Sequence, residues 1–438
     1  MWGIILCLCV VGNIQASSSP VSLSITAQSA KATPCGIVCL TDTDSTHEIA
    51  QNIARCCSWD GEYEPRIITL HSKNKSSNGI HVGLLQEWEQ AGFLCVLVLS
   101  CDFAEHSCTW RLYDTCNQNM IVGKKISYAK CSERAVAYTI AREFFEALTG
   151  ASPAFCSRIA YCVDIPPKKR GGRIYRHLYT MDFDGTHQKL LVGGHTITLG
   201  PRWHPHKDRS LLYYSECMPR NVRLMRLPLG GVPAVYSSAQ GINMLPAVSP
   251  GGNCIVLCLS YQGSTCLYRC DLTAAPQARK LIPVTRSGLA VSPVFIDNSR
   301  IVFCSDDNSL QIPRLASIDI KTGVLTWYAP AVSCASPTVD FRNKRIGYAR
   351  MTNGILQIWQ CDFEGNNHQQ LTHTPGSKEE CSWSPCGTWI AYMLERAGSS
   401  AIAVYHPGTK REHVLTPVGT NASFPSWSPE LAPAYLDK

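Results

Sequence analysis

Two kinds of site signature are missing from this sequence of 438 residues. It contains no Gly-x-Ser-x-Gly, the turn that exposes the nucleophilic serine of an α/β-hydrolase, which argues against that class of enzyme. It also contains no Cys-x-x-Cys pair and no zinc-finger spacing, so the cysteines give no pattern of metal ligands. We therefore expect no catalytic residues, no metal and no cofactor.

Charge and long apolar runs are scarce as well. Charged residues make up 17% of the chain and the net charge is only +7, which argues against a nucleic-acid partner. The one compact basic run, Lys168–Arg170, lies in a glycine-bearing loop and is interpreted as solvated surface. The apolar run before Ala16 has the length of a signal peptide and is too short to span a bilayer. We expect residues 1–16 to be a signal peptide and the mature protein to be exported without spanning a membrane.

Cysteine, in contrast, is abundant, with 23 residues. Cys7 and Cys9 would leave with the signal peptide, and the odd number that remains leaves at least one cysteine unpaired or paired between chains. We expect most cysteines to act as small hydrophobic residues in strand cores, with some of them in disulfides.

A turn phrase that recurs six times organises the rest of the chain. Its clearest copy is Trp383-Ser-Pro385, followed by a turn and by the β-rich run Trp389–Leu394. Copies are spaced by about 44 to 47 residues, the period of a four-stranded propeller blade. The six copies are Trp203-His-Pro205, Val248-Ser-Pro250, Phe295-Ile-Asp297, Val339-Asp-Phe341, Trp383-Ser-Pro385 and Trp427-Ser-Pro429. We predict six blades, with Trp203, Trp383 and Trp427 packed between them.

The last copy is incomplete, and the start of the array supplies what it lacks. Only a short tail follows Trp427, so the sixth blade has no second strand of its own. Arg158–Val163 matches the second-strand phrase Ile390-Ala-Tyr392 and precedes the turn at Asp182–Gly185, which is typical of a third strand. We predict that the two ends of the array pair in one blade and close the ring, because closure protects strand edges.

Residues 17–150 show no trace of this period and mix helices with strands. A helix is predicted to start at the capping box Ser45–Glu48, and a second helix to cover Ala135–Leu148 and end at Gly150. Between them, Phe93–Leu99 is predicted to be a buried strand and Thr109–Tyr113 a half-exposed one. The fold class is thus an α/β N-terminal domain followed by an all-β six-bladed β-propeller, which occupies residues 151–438.

Beyond these patterns, the chain resembles the TolB family, the exported component of the Tol-Pal envelope system of Gram-negative bacteria. The resemblance is carried by Leu148–Gly150 continuing to Arg158–Tyr161, by Phe424–Pro429, and by Val21–Ile25 near the N-terminus. It implies a non-enzymatic periplasmic scaffold, a monomer within a multiprotein complex. Such a scaffold binds the lipoprotein Pal at the propeller mouth and the inner-membrane protein TolA through its N-terminal segment, and supports outer-membrane integrity and envelope constriction at cell division.

The resemblance also assigns the two binding surfaces to residues of this chain. The TolA-binding segment maps to residues 21–31, with Val21, Leu23, Ile25, Thr26, Ala30 and Lys31 as its candidate residues. The Pal-binding mouth maps to the loops before the six anchors. Its candidate residues are Thr198, Leu199, Ile242, Asn243, Met244, Leu245, Val291, Ser292, Ala335, Ser336, Glu379, Glu380, Ala422 and Ser423. This chain departs from the family where Ile242, Met244 and Val291 replace polar residues, and where Thr26 and Ala30 replace aspartates.

Two alternatives stay open at this point. One is an exported propeller that binds peptidoglycan or another ligand, since aromatic residues around a channel can stack on sugars. The other is a remnant of a propeller peptidase; because the chain ends at the sixth copy, we expect no hydrolase domain. A metal site at His204 and His206 is disfavoured, because His204 occupies the turn position that Ser384 and Ser428 fill in other copies.

Overall fold

The structure is a computed structural model, and it describes residues 32–68, 80, 82–128, 131–167, 172–206, 209–239, 241–261, 264–275, 278–307, 310–417 and 419–437. The predicted signal peptide and the predicted TolA-binding segment lie outside these residues. Across the described ranges, no helix combines the length and the apolar character needed to cross a membrane.

The N-terminal domain is a five-stranded sheet with helices on both faces. Its strands pair in the order β2-β1-β3-β4-β5, parallel among the first three and antiparallel after that. In chain order, its elements are β1 (Thr33–Cys39), α1 (Asp44–Trp59), β2 (Tyr63–Ile68), α2 (Val82–Gln90), β3 (Cys95–Asp102), β4 (Ser107–Asp114), β5 (Asn119–Ser127) and α3 (Glu133–Thr149). The predicted α/β character of this region is confirmed.

Alternation along the strands separates the two faces of this sheet. Ile37, Leu97 and Leu99 pack with α1 and α3, whereas Val96 and Val98 pack with α2. The second predicted helix and its end are confirmed, because Gly150 adopts the left-handed conformation just after α3. The predicted start of α1 was wrong by two residues.

The cap of α1 is Thr43 and not Ser45. The Thr43 hydroxyl accepts a hydrogen bond from the backbone N–H of Thr46 at 3.3 Å and lies 2.9 Å from the Thr46 hydroxyl. Thr43 thus caps a free N–H group of the first turn, two residues before the cap that the predicted capping box would have supplied.

After α3, the described residues form six four-stranded antiparallel sheets, as predicted. Blades 1 to 5 follow chain order. Blade 1 contains β9 (Thr198–Trp203), β10 (Leu211–Cys217), β11 (Val222–Pro228) and β12 (Ala234–Ser237); blade 2 contains β13 (Asn243–Val248), β14 (Cys254–Tyr261), β15 (Ser264–Asp271) and β16 (Ile282–Pro283). Blade 3 contains β17 (Ala290–Phe295), β18 (Arg300–Ser305), β19 (Arg314–Asp319) and β20 (Leu325–Trp327); blade 4 contains β21 (Cys334–Asp340), β22 (Arg345–Thr352), β23 (Ile355–Asp362) and β24 (Gln369–Gln370). Blade 5 contains β25 (Ser377–Trp383), β26 (Ile390–Arg396), β27 (Ser399–His406) and β28 (Arg411–Val414).

The sixth sheet joins the two ends of the array and is called the closing blade. It combines β29 (Ala422–Trp427) with β6 (Arg158–Ile165), β7 (Tyr175–Asp182) and β8 (Lys189–Val192), and the short helix α4 (Pro433–Leu436) follows β29. Ala422 pairs with Val163 and Trp427 with Ile159. The predicted closure is therefore confirmed, including the strand that completes the last copy.

The recurring phrases mark the same places in each blade. The first strand of every blade ends within the anchor phrase, β7 ends at the predicted Asp182, and β15, β19 and β23 also end at an aspartate. First strands of neighbouring blades contact one another around the whole ring, so they line the central channel. The tryptophans join blades as predicted, since Trp203 Nε1 donates to the carbonyl of Ser426 at 2.9 Å.

Candidate protein-binding surface

The six first strands begin at one end of the channel, and this end is called the mouth. Each of these strands carries a bulge near its start, where its pairing with the second strand shifts. One residue in each bulge has a positive φ: Gly200, Leu245, Ser292, Ser336, Glu380 and Phe424. A bulge inserts one extra residue and bends the strand locally. It therefore changes which side chains of each first strand point toward the opening of the channel. The mouth is therefore a ring built from six equivalent backbone distortions.

The predicted mouth residues all lie at this ring, but at different depths. Thr198, Asn243 and Ala422 are fully buried, and Ser423 is 8% exposed. The others are partly exposed: Leu199, Ile242, Met244, Leu245, Val291, Ser292, Ala335, Ser336, Glu379 and Glu380. Thr198, Asn243 and Ala422 each open a first strand, and their side chains are buried there rather than exposed at the mouth.

Two of the buried residues hold the loops of the mouth in place. The Asn243 side chain donates hydrogen bonds to the carbonyls of Val222 at 2.8 Å and Ala239 at 2.6 Å, and it accepts one from the Ser237 hydroxyl at 2.9 Å. The Thr198 hydroxyl donates to the carbonyl of Arg176 at 2.9 Å. These side chains support the surface from below.

Gly200 and Phe424 belong to the ring and were missed from the sequence. They precede Pro201 and Pro425, in the same way that Leu245, Ser292 and Ser336 precede prolines in their own copies. Aligning the copies on this X-Pro step would have found both. Phe424 is partly exposed, and the Arg176 guanidinium lies 5.7 Å from the centre of its ring.

Glu380 is the acidic member of the ring, and its side chain links two blades. Its Oε2 atom accepts a hydrogen bond from the backbone N–H of Phe424 at 2.5 Å. Burial raises the pKa of Glu380 to about 7, although the Phe424 N–H and the nearby Arg202 and Arg176 guanidinium groups favour the charged form. Burial also raises the pKa of Glu379, and the negative charge of Glu395 adds to this effect.

A cavity of about 640 Å³ opens beside this acidic side of the mouth, between blades 4 and 5. Glu379, Glu395 and Arg396 line it together with Met351 and Ile355, two apolar side chains that are 45% and 39% exposed. The cavity extends the mouth outward along the hairpins of the two blades. Its lining combines exposed apolar side chains with carboxylates, a mixture that is common at the edges of protein-binding surfaces.

The opposite end of the channel has a different set of side chains. A cavity of about 350 Å³ is lined there by Trp203, Trp383, Trp427 and Arg202. The N-terminal domain packs on the same face, where Trp389 Nε1 donates to the Asp60 carboxylate at 2.8 Å. The described part of the N-terminal domain thus packs on the face of the ring opposite to the mouth.

His204 fulfils the predicted turn role. It is 2% exposed, and its Nδ1 accepts a hydrogen bond from the backbone N–H of His206 at 3.1 Å, as the Ser384 hydroxyl accepts one from Trp389 at 3.1 Å. Burial lowers the pKa of His204 to about 4. Within the ranges that the structure describes, no group of three or more His, Cys, Asp or Glu side chains is arranged to hold a metal ion.

Comparison with known proteins points to one family for the propeller. A family model described as the TolB beta propeller domain matches residues 145–431. A relative from Gluconobacter oxydans, named Tol-Pal system protein TolB, is 27% identical over 326 residues, which cover 73% of this chain and 70% of the relative. A relative of the same name from Rickettsia peacockii is 26% identical over 227 residues, half of this chain and 49% of that relative. The chain therefore matches about half the length of the Rickettsia protein.

The fold has a counterpart among solved structures. The crystal structure of TolB from Acinetobacter baumannii superposes with a TM-score of 0.72 and covers 91% of this chain and 97% of that one, at 21% sequence identity. This likeness concerns the fold, an α/β domain followed by a six-bladed propeller.

Proposed function

Because the chain belongs to the family of the TolB beta propeller domain, we propose that it is a non-enzymatic, periplasmic protein-binding scaffold of a Tol-Pal system. A Pal-like lipoprotein binds at the mouth, and a TolA-like inner-membrane protein binds residues 21–31, which lie outside the described residues. The complex supports outer-membrane integrity and envelope constriction at cell division. No chemistry is assigned to the propeller itself.

The observation that carries this proposal is the composition of the mouth. Leu199, Met244, Leu245, Val291 and Phe424 are all partly exposed at the bulges of four blades. Apolar side chains at the centre of a patch with a polar rim are typical of protein interfaces. The polar part of the rim is supplied by the serines and glutamates of the ring.

The backbone around these side chains is held in place before any partner arrives. The backbone N–H of Phe424 donates to the Glu380 carboxylate at 2.5 Å, and the Asn243 side chain donates to the carbonyls of Val222 and Ala239, so neighbouring blades are joined at the mouth. A preformed surface loses little conformational entropy on binding. We expect a folded partner domain to dock on the mouth with little rearrangement of the propeller.

Calorimetric titration with the soluble domain of the Pal-like lipoprotein from the same organism tests the assignment. We expect saturable binding by the wild type and an affinity at least about tenfold lower for Met244→Arg and Val291→Arg, since each places a charge in the apolar part of the mouth. Asn243 is left intact, because its hydrogen bonds support the loops.

Val232→Arg is the matched control. Val232 is 80% exposed in the turn between β11 and β12, at the end of the ring opposite to the mouth. This variant should bind like the wild type. Absence of binding by the folded wild type, or equal loss in all three variants, would contradict the proposal and favour a propeller for peptidoglycan or another ligand, for which the same titration with peptidoglycan fragments is the next measurement.

The N-terminal segment gives a second, separable test. If residues 21–31 bind the TolA-like protein, deleting them should abolish that interaction while the mouth still binds the lipoprotein. A change in lipoprotein affinity on deletion would mean that the segment and the mouth are coupled through two states of the protein. Unchanged binding at both surfaces would contradict the role of the segment.

A further inference from the structure

Two cysteines of the N-terminal domain face each other across the central hairpin of its sheet. Cys101 lies near the end of β3 and Cys108 near the start of β4, and the two are direct partners in the antiparallel register. Their Sγ atoms lie 2.9 Å apart and share a hydrogen bond. All cysteines from Cys35 to Cys386 are thiols in the structure.

The backbone at this pair already has the geometry that a disulfide needs. Directly opposed residues of antiparallel strands have Cα atoms about 4.5 to 5.5 Å apart, which falls within the span of about 4.4 to 6.8 Å found for disulfides. The Sγ atoms need to approach by less than about 1 Å to reach the bonded distance. No strand has to move for the bond to form.

The surroundings fix this end of the hairpin. The Thr41 hydroxyl donates to the carbonyl of Cys101 and accepts from its N–H, both at 3.1 Å. The four-residue turn Phe103–His106 is held by the Tyr128 N–H, which donates to the carbonyl of His106 at 2.8 Å. Cys101 is 6% exposed and Cys108 is fully buried, so a bond formed during folding would be shielded from reductants.

We propose that Cys101 and Cys108 are a redox site that forms an intrachain, cross-strand disulfide. The co-reactant is a small disulfide such as glutathione disulfide. One cysteine thiolate attacks it, forms a mixed disulfide and releases one glutathione thiolate; the second cysteine then attacks the mixed disulfide and releases the other. The two cysteine thiols lose two protons and two electrons in all, and glutathione disulfide is reduced to two glutathione molecules.

The two thiols differ in a way that sets the order of these steps. The hydrogen bond with Cys108 lowers the pKa of Cys101, whereas the same bond and burial raise the pKa of Cys108. Cys101 is also the more exposed of the two. Cys101 is therefore the attacking thiol and Cys108 the resolving one.

The test uses the full chain and is independent of the proposed function. The reduced protein is unfolded, refolded in mixtures of reduced and oxidised glutathione, alkylated and digested after Glu105, which separates the two cysteines. At the oxidising end we expect a peptide pair linked through Cys101 and Cys108. We also expect a melting temperature roughly 5 °C above that of the reduced protein, since closing even a short loop restricts the unfolded chain.

Three variants control the result. Cys116→Ser removes the exposed thiol of the neighbouring turn and should leave the linked pair and the shift in melting temperature unchanged. The double variant Cys101→Ala/Cys108→Ala should lose both. Cys108→Ser should accumulate glutathione on Cys101, because the resolving thiol is gone. Alkylated Cys101 and Cys108 in the oxidised wild type would overturn the proposal, as would a link of either cysteine to another residue such as Cys39.

Discussion

Glu380 combines a distorted backbone with a buried carboxyl group. Its own φ is +55°, and its carboxylate reaches across to the N–H of Phe424, the residue at the same position in the closing blade. This N–H is therefore satisfied from the neighbouring blade. The mouth thus gains an ordered link between two blades and keeps a carboxylate that burial makes hard to ionise.

This arrangement predicts a pH dependence of stability. The folded-state pKa of about 7 lies above the unfolded value of 4.5, so the folded protein binds the proton more tightly. The stabilisation from this group is present below about pH 4.5 and is lost as the pH rises to about 7. Glu380→Gln keeps an acceptor for the Phe424 N–H without the charge. Its melting temperature relative to the wild type should therefore rise across this window and level off above pH 7.

Thermal melts at a series of pH values check this expectation. Glu89→Gln, on the exposed end of α2, is the control for removing a carboxylate without disturbing the mouth. If the difference between Glu380→Gln and the wild type were constant with pH, or matched the control, Glu380 would not be the titrating group.

The strands show why repetition made the propeller predictable. In each blade a buried first strand ends in a tight turn, so the Trp-Ser-Pro phrase or an equivalent recurs. The number of copies and their spacing give the number of blades. Closure followed from a mismatch, because Trp427 began a blade that only Arg158–Val163 was able to complete. The depth of the mouth residues did not follow, since one bulge per strand shifts the alternation by one residue. In β13 the pairing shifts between Met244 and Ala247, so Asn243 and Met244 pair one residue out of step with the rest of the strand.

Closure by β29 carries a prediction at the scale of one strand. A chain that ends at Asn421 lacks β29 and everything after it. The hydrogen bonds of the Ser428 N–H and hydroxyl with the Arg158 backbone are then lost, and the edge of β6 is exposed. Hydrogen exchange should become much faster in residues 158–165, and the protein should self-associate through the open edge. A chain that ends at Ala432 keeps β29 and loses α4, and should retain this protection. Equal exchange in both truncated chains would show that β29 does not close the ring.

At the scale of the whole molecule, the two domains are joined as one body. A continuous hydrophobic cluster runs from α1 and α3 into the closing blade and blade 5. Trp59 packs against Trp389 with ring centroids 5.4 Å apart, and Arg55 pairs at 2.8 Å with Asp184, which is almost fully buried. The N-terminal domain is therefore packed directly against the propeller by apolar contacts and an ion pair.

Arg134 links α3 to the closing blade and to the C-terminal segment. It pairs at 2.5 Å with Asp182, which is fully buried, and it also contacts the carboxylate of Asp437 after α4. Arg134→Ala leaves Asp182 with the Arg158 guanidinium, the His187 ring and the Tyr138 hydroxyl as neighbours, and we expect a loss of about 2–3 kcal/mol, because an under-compensated buried charge is costly. Calorimetry should show one unfolding transition for the wild type and a separate, earlier transition of the N-terminal domain for the variant.

Arg66→Ala is the control, because it removes only an exposed ion pair with Glu64. It should lower the free energy of unfolding by less than about 1 kcal/mol and keep the single transition. A single transition in both variants, shifted by the same amount, would mean that the two domains are held together by their apolar contact alone.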